Sequence, residues 1–225
     1  FIKKERSNFM NYLKNIFHDD LSVNNQNYFK AILKSLLLIV LFFIALFSSD
    51  YVTKGWQYGF ISLSLLCLCL FFSKLLKFNF FNLKLINYKE ILIIFMSLVL
   101  ILVLDYTLSF WQSAVSPNDE SIIQHFSGTP FLLLAISIAI VPAIAEELIF
   151  RGFLLRVFFR KHLFIGTLVS SFLFAILHDG STVLDYIPYF YFGVILSVSY
   201  LITKRIEVPI LIHFLNNFIV LFYIF

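Results

Sequence analysis

Two adjacent glutamates and an arginine interrupt an otherwise uncharged apolar stretch of this chain: residues 141–152 read VPAIAEELIFRG, directly after FLLLAISIAI at 131–140. An ionisable side chain at that depth in lipid costs at least roughly 2.5–3.5 kcal/mol, so it faces protein and marks a functional site. Glu147 and Arg151 are four apart, stacked on one helix face and able to pair. Glu146 is rotated by roughly 100° from Glu147 and lacks a helical partner. An unpaired carboxylate shielded from bulk water is suited to act as a general base. Pro142, four residues before Glu146, cannot donate to the Ile138 carbonyl and is expected to bend the helix just above the site. The plainer alternative is that all three charges form one packing salt-bridge network.

Two histidines also lie in apolar surroundings, His178 at the end of SFLFAILH and His213 in PILIHFLNN, with Asn217 four residues beyond His213 on the same helix face. Either histidine alone could be a core residue bonded to a carbonyl. Spacing favours a shared site: Glu146 lies sixteen residues before His162 in the basic turn Arg160-Lys161-His162, and His178 lies sixteen after it. In an antiparallel hairpin the two share a level roughly 24 Å from the turn, at 1.5 Å per residue. The helix carrying Glu146 is about ten residues longer than a bilayer core needs. Its basic end is therefore expected to project into the cytoplasm, with Glu146, His178, His213 and Asn217 lining one cavity approached from the cytoplasmic half. Glu with His can hold and deprotonate water, and His with Asn can donate to a developing oxyanion, which fits peptide hydrolysis better than ion conduction.

The elements that must position these groups are membrane helices. The chain has 225 residues, is 60% hydrophobic and carries 30 phenylalanines, too apolar for a water-soluble domain. Apolar runs of bilayer length occur at about 31–48, 57–73, 91–109, 131–156, 163–182, 186–202 and 208–225. The fold class is thus an all-α polytopic bundle of about seven transmembrane helices, with residues 1–30 a cytoplasmic amphipathic segment and 31–225 one transmembrane domain. Phe9, Met10, Tyr12, Leu13, Ile16 and Phe17 allow a short helix on the membrane surface. No cleavable apolar core stands in residues 1–28, so no signal peptide is expected there. The connection at 110–130, with SPNDES at its centre, reads as a surface loop.

The net charge of +4 matters less than its placement. Lysines and arginines cluster in every second loop, at the amino terminus, at Lys74 to Lys89, at Arg156 to Lys161 and at Lys204-Arg205, while the intervening loops hold Asp50, Asp119, Glu120, Asp179 and Asp185. The positive-inside rule then gives a cytoplasmic amino terminus in the cell membrane and an external carboxyl terminus. Cys67 and Cys69 point to different helix faces and make neither a disulfide nor a metal pair. Membrane lipid and a membrane-associated peptide or protein are the expected partners, and no nucleic acid is.

The ordered pattern Glu146-Glu147-x-x-x-Arg151, Phe174-x-x-x-His178 and His213-x-x-x-Asn217, with FRG at 150–152, resembles the CPBP (Abi) family of intramembrane proteases over about residues 130–225. That family includes type II CAAX prenyl endopeptidases and bacteriocin-processing or immunity-associated proteins. The resemblance implies an all-α membrane fold with a cavity open to the cytosolic side. It implies Glu146 as the glutamate that activates water, His178 as its partner, His213 and Asn217 as the oxyanion site, and Glu147 and Arg151 as support. Family members have been described both as metalloproteases and as glutamic proteases. Here a metal-free mechanism is favoured, with zinc as the alternative, in which Glu146, His178 and His213 supply three ligands. Two other functions compete: a non-catalytic binding or immunity protein on the same fold, and a proton-coupled carrier. The carrier would require an internal repeat, and EELIFR has no counterpart in the first half of the chain.

Overall fold

The computed structural model describes residues 14–82, 84–111 and 116–224, and among them it contains helices and connections but no strand. Eight helices follow in order: α1 (Tyr28–Ser49), α2 (Trp56–Leu75), α3 (Tyr88–Ser109), α4 (Pro117–Phe126), α5 (Phe131–Phe158), α6 (Leu163–Ala175), α7 (Val183–Thr203) and α8 (Glu207–Ile224). Helices α1, α2, α3, α5 and α7 are long and apolar enough to cross a membrane, whereas α6 and α8 are apolar but shorter. These seven correspond to the seven apolar runs. The chain is an integral membrane protein.

Helix α5 is the centre of the bundle. Of its apolar window 72% is buried inside the protein, against 17% for α3, so α5 meets protein where its neighbours meet lipid. It contacts α1, α2, α6, α7 and α8. Its backbone is not uniform: the α-helical turns Val141–Glu147 lie between two wider π-helical segments, Ala135–Ile140 and Leu148–Phe158. Such wide turns inside α-helices concentrate at functional sites. The glutamates therefore sit where the helical register changes.

Close packing of α6 on α7 depends on a small residue. A Cβ at Gly193 would lie 2.9 Å from the Ser171 Cα. The facing hydroxyls are absorbed locally, with Thr167 donating to the Leu163 carbonyl, Ser171 to the Thr167 carbonyl and Ser197 to the Gly193 carbonyl.

Three expectations change. Residues 117–126 form helix α4 rather than a loop, because Ser116 caps it by accepting from the Asp119 N–H (3.1 Å), Pro117 opens it and Asp119 and Glu120 occupy its first turn. The span expected to run to residue 182 ends at Ala175, and His178 stands in the turn beyond it. The basic end of α5 does not project freely either. Arg156 is buried, its Nη2 bonded to Asp19 (3.2 Å), Asp20 (2.5 Å) and Ser22 (3.2 Å), while Arg160 donates to the Gln26 carbonyl and Lys204 to the Ile16 and His18 carbonyls. Residues 16–26 are thus folded across the basic end of the bundle. Of its expected amphipathic face, Phe9, Met10, Tyr12 and Leu13 lie outside the described residues; Ile16 is buried and Phe17 packs edge-on against Phe164 at 5.4 Å.

Burial works against charge on Asp20, but hydrogen bonds from Ser22 and the Arg156 charge outweigh it and hold the carboxyl down at about 2. A depressed folded value means that this tie is complete above the ordinary carboxylate value of 3.8 and is lost as pH falls through about 2. Amide exchange at Asp20 to Ser22, corrected for intrinsic rate, should stay slow at pH 4 and quicken by pH 2. Separately, Gly193→Val should overpack the α6–α7 contact by about 1–3 kcal/mol. Wild-type-like thermal unfolding of that variant in detergent would contradict the packing argument.

Candidate active site

Burial and spacing separate the two glutamates. Glu147 is fully buried: its Oε1 accepts from Arg151 Nη1 at 2.8 Å, one helical turn along α5, and from His213 Nδ1 of α8 at 3.0 Å. Arg151, also fully buried, sends Nη2 to the Gly193 carbonyl of α7 at 3.0 Å and stacks its guanidinium over the Phe174 ring of α6 at 4.8 Å. One ion pair therefore touches α5, α6, α7 and α8. Glu146 turns away from it, its side chain 20% exposed, and faces a cavity.

That cavity has a volume of about 980 Å³, and Glu146, His178, His213 and Asn217 all stand on its wall, beside Pro142 and Phe174. His213 faces Glu146 across 4.0 Å between Nε2 and Oε2. The gap is too long for a direct hydrogen bond and short enough for a shared water. Because a carboxylate only accepts, the Nδ1 that meets Glu147 carries a proton, and Nε2 is the nitrogen directed at the cavity. His178 is oriented in the same way: Nδ1 donates to the Phe174 carbonyl at 2.9 Å, leaving the lone pair on Nε2. Its ring lies flat on Tyr189 of α7, centroids 3.9 Å apart and planes at 15°. Asn217 donates from Nδ2 to the Ile138 carbonyl of α5 at 2.9 Å.

Aromatic rings close the rest of the wall. Phe174 meets Phe150, His178 and His213 at 5.3, 4.8 and 5.9 Å, and Phe192 meets His213 edge-on at 5.1 Å. These rings fix the two imidazoles without competing for their nitrogens. Tyr189, Phe192 and Gly193 were not singled out from the sequence. Their signal was weak, since α7 reads as one more apolar span whose aromatics could equally face lipid.

The cavity also reaches Asp50, Asp105, Asn118, Asp119, His125 and Asp179. These belong to the end of the bundle opposite the basic clusters. Helix α6 stops at Ala175, and the turn after it brings His178 and Asp179 to the same wall.

Among the described residues, no three His, Cys, Asp or Glu side chains stand close enough together to hold a metal ion, and Glu146, His178 and His213 do not form such a group.

The Glu147–Arg151 pair yields a test of stability. Arg151→Met leaves a buried carboxylate without its cation and should cost about 3–5 kcal/mol, whereas Glu147→Gln with Arg151→Met removes both charges and should recover part of that loss. Melting curves in detergent check this. A double variant less stable than Arg151→Met alone would contradict it.

Comparison with known proteins places these observations among relatives. Residues 128–219 match the family model described as type II CAAX prenyl endopeptidase Rce1-like. The chain is similar to the membrane-embedded CAAX protease MroQ of Staphylococcus aureus (strain USA300), 38% identical over 117 residues that cover 48% of this chain and 45% of that protein. It is also similar to the uncharacterized protein YyaK of Bacillus subtilis (strain 168), 32% identical over 142 residues covering 58% and 46% respectively. The matched stretches span less than half the length of these two relatives. No solved structure matches the chain.

Proposed function

We propose, on the premise that residues 128–219 of this chain belong to the type II CAAX prenyl endopeptidase Rce1-like family, that the protein is an intramembrane endopeptidase. It hydrolyses a peptide bond of a membrane-associated peptide or protein in or next to the bilayer. The observation that carries this reading is the division of two adjacent glutamates: one neutralised in a buried ion pair, the other facing a cavity that two oriented imidazoles share.

In this mechanism Glu146 takes a proton from water while His178, with its lone pair on Nε2, orients that water. The hydroxide oxygen attacks the scissile carbonyl carbon, and the carbonyl π electrons move to oxygen. His213 donates to that oxygen from Nε2, which requires a ring that carries both protons, Nδ1–H on Glu147 and Nε2–H on the oxyanion. When the tetrahedral intermediate collapses, the C–N bond breaks and protonated Glu146 returns its proton to the leaving amine. Glu147 and Arg151 hold His213 and the four helices in register. The favoured reading needs no metal, and no step is assigned to one.

Purified protein in detergent, incubated with candidate membrane peptides, tests the proposal. Glu146→Gln should keep the fold and lose about 10²- to 10⁴-fold in turnover, and His178→Ala should behave similarly. His213→Ala should lose on the order of 10²- to 10³-fold. Strong chelators should leave turnover nearly unchanged. Stoichiometric zinc that disappears with His213→Ala would refute the metal-free mechanism, and full turnover by Glu146→Gln would remove the assigned base. Tight peptide binding without cleavage would point instead to a binding or immunity protein on this fold.

A further inference from the structure

We propose that Tyr189 is a positioning residue for His178: its ring sets the plane of the imidazole while its hydroxyl ties helix α4 to the same point, so one side chain holds both the aim of His178 and the seat of the helix that borders the cavity. The consequence for turnover rests on the endopeptidase reading; the geometry does not.

His178 needs a second hold because regular helix does not supply one. Helix α6 ends at Ala175, and His178 stands in the turn beyond it. The bond from its Nδ1 to the Phe174 carbonyl (2.9 Å) fixes one point of the ring and still lets the plane swing about that bond. Tyr189 of α7 removes this freedom. Its ring centroid lies 3.9 Å from that of the imidazole with the planes at 15°, while Phe174 stands at 4.8 Å and 48°. Stacked rings at this distance resist tilting, because turning the imidazole drives its edge into the phenol face. Both His178 and Tyr189 line the cavity.

The far end of Tyr189 reaches α4. Its hydroxyl meets the side chains of Ser116, which caps α4, and Asn118, in the first turn of that helix. Both residues already serve this junction: Ser116 Oγ accepts from the Asp119 N–H at 3.1 Å, and Asn118 Oδ1 accepts from the N–H of Asp179, the neighbour of His178, at 3.4 Å. An amide whose oxygen is taken offers its Nδ2, so Asn118 can link the turn after α6 to the phenol of α7. At its other end α4 is pinned just past α1, where His125 Nε2 donates to the Asp50 carbonyl at 3.1 Å and Phe126 is buried. Helix α4 therefore runs along the cavity from α1 to the His178 turn, and Tyr189 is where its amino-terminal end meets the imidazole. Phenylalanine at 189 would keep the stack and release α4, whereas leucine would give up both.

Two variants thus separate the ring from the hydroxyl. Modification of His178 by diethyl pyrocarbonate, mapped by mass spectrometry on protein in detergent, reads how freely the imidazole moves and needs no peptide to be cleaved. Tyr189→Leu should raise that rate by about 3- to 10-fold, the worth of one ring stack. It should also lower kcat by about 10- to 100-fold with little change in KM, since a misplacement of about 1 Å at a reacting centre costs about 10²-fold. Tyr189→Phe should keep the modification rate and kcat within about twofold of the wild type while quickening amide exchange in α4 by about 5- to 10-fold, the loss of one hydrogen bond. An unchanged His178 modification rate in Tyr189→Leu overturns the positioning role. A kcat loss in Tyr189→Phe as large as in Tyr189→Leu overturns it too, because the hydroxyl would then act in the chemistry itself. Unchanged α4 exchange in Tyr189→Phe overturns the tie to α4. Should Tyr189→Leu not fold, Tyr189→Met, which fills the space without a flat face, takes its place under the same outcomes. If no form cleaves a peptide, faster modification in Tyr189→Leu still supports the proposal, so failure of the endopeptidase reading is told apart from failure of this one.

Discussion

The buried Glu147–Arg151 ion pair is the constraint on which the carboxyl-terminal half of the bundle depends. Both side chains are fully buried, and lipid offers no water to either if the pair opens. Taking two charges out of water is repaid only when the remaining donors and acceptors find partners. The neighbouring helices supply them: the Gly193 carbonyl from α7, the His213 imidazole from α8, and the face of Phe174 from α6. Each demand fixes a residue type. The α7 residue whose carbonyl meets Arg151 is also the one packed on α6, where Ser171 leaves no room for a side chain at 193.

The same pair explains how two identical side chains, adjacent in sequence, take different work. On a helix they diverge by roughly 100°. Glu147 points into the contact between helices, where its charge is spent on Arg151 and His213. Glu146 points to the cavity with no cation of its own, and the nearest basic nitrogen, on His213, stays 4.0 Å away. His213 thus stands between them, bonded through Nδ1 to Glu147 and facing Glu146 from Nε2. The buried pair thus fixes the orientation of the imidazole that faces the cavity, as hydrogen-bond partners of ligating histidines fix their rings in other sites.

Legibility from sequence followed the range of the signal. Apolar runs gave the seven apolar helices, five of them long enough to cross a membrane, because a hydrocarbon core demands long uncharged stretches. The spacing of Glu147 and Arg151 gave their pairing, since the contact is made within a single helix. Equal distance from a turn placed Glu146 and His178 near one another, and the structure brings both to one cavity wall. Contacts between helices were not readable. Nothing in the sequence marks Tyr189 as the ring under His178, Gly193 as the acceptor for Arg151, or the amino-terminal segment as the cover over Arg156. Helix α4 was missed for a different reason: Ser-Pro-Asn-Asp is a turn composition and also a helix start, and only the residues after it decide between them.

The length of α6 links this architecture to access. On the endopeptidase proposal, the bundle must admit water and a chain to its centre while keeping lipid out. A full-length α6 would carry apolar side chains past the level of Glu146 and seal the bundle. Instead it ends after thirteen residues, and His178 is held in the following turn by the Phe174 carbonyl and the Tyr189 ring rather than by helical backbone. The polar residues of that turn and of α4 then line the way in, and helix α4, capped by Ser116, keeps Asn118, Asp119 and His125 at the entrance. A single short helix thereby brings the His178 imidazole and the polar turn beyond it to one cavity wall, with the Glu147–Arg151 pair packed behind it against α6 and α7.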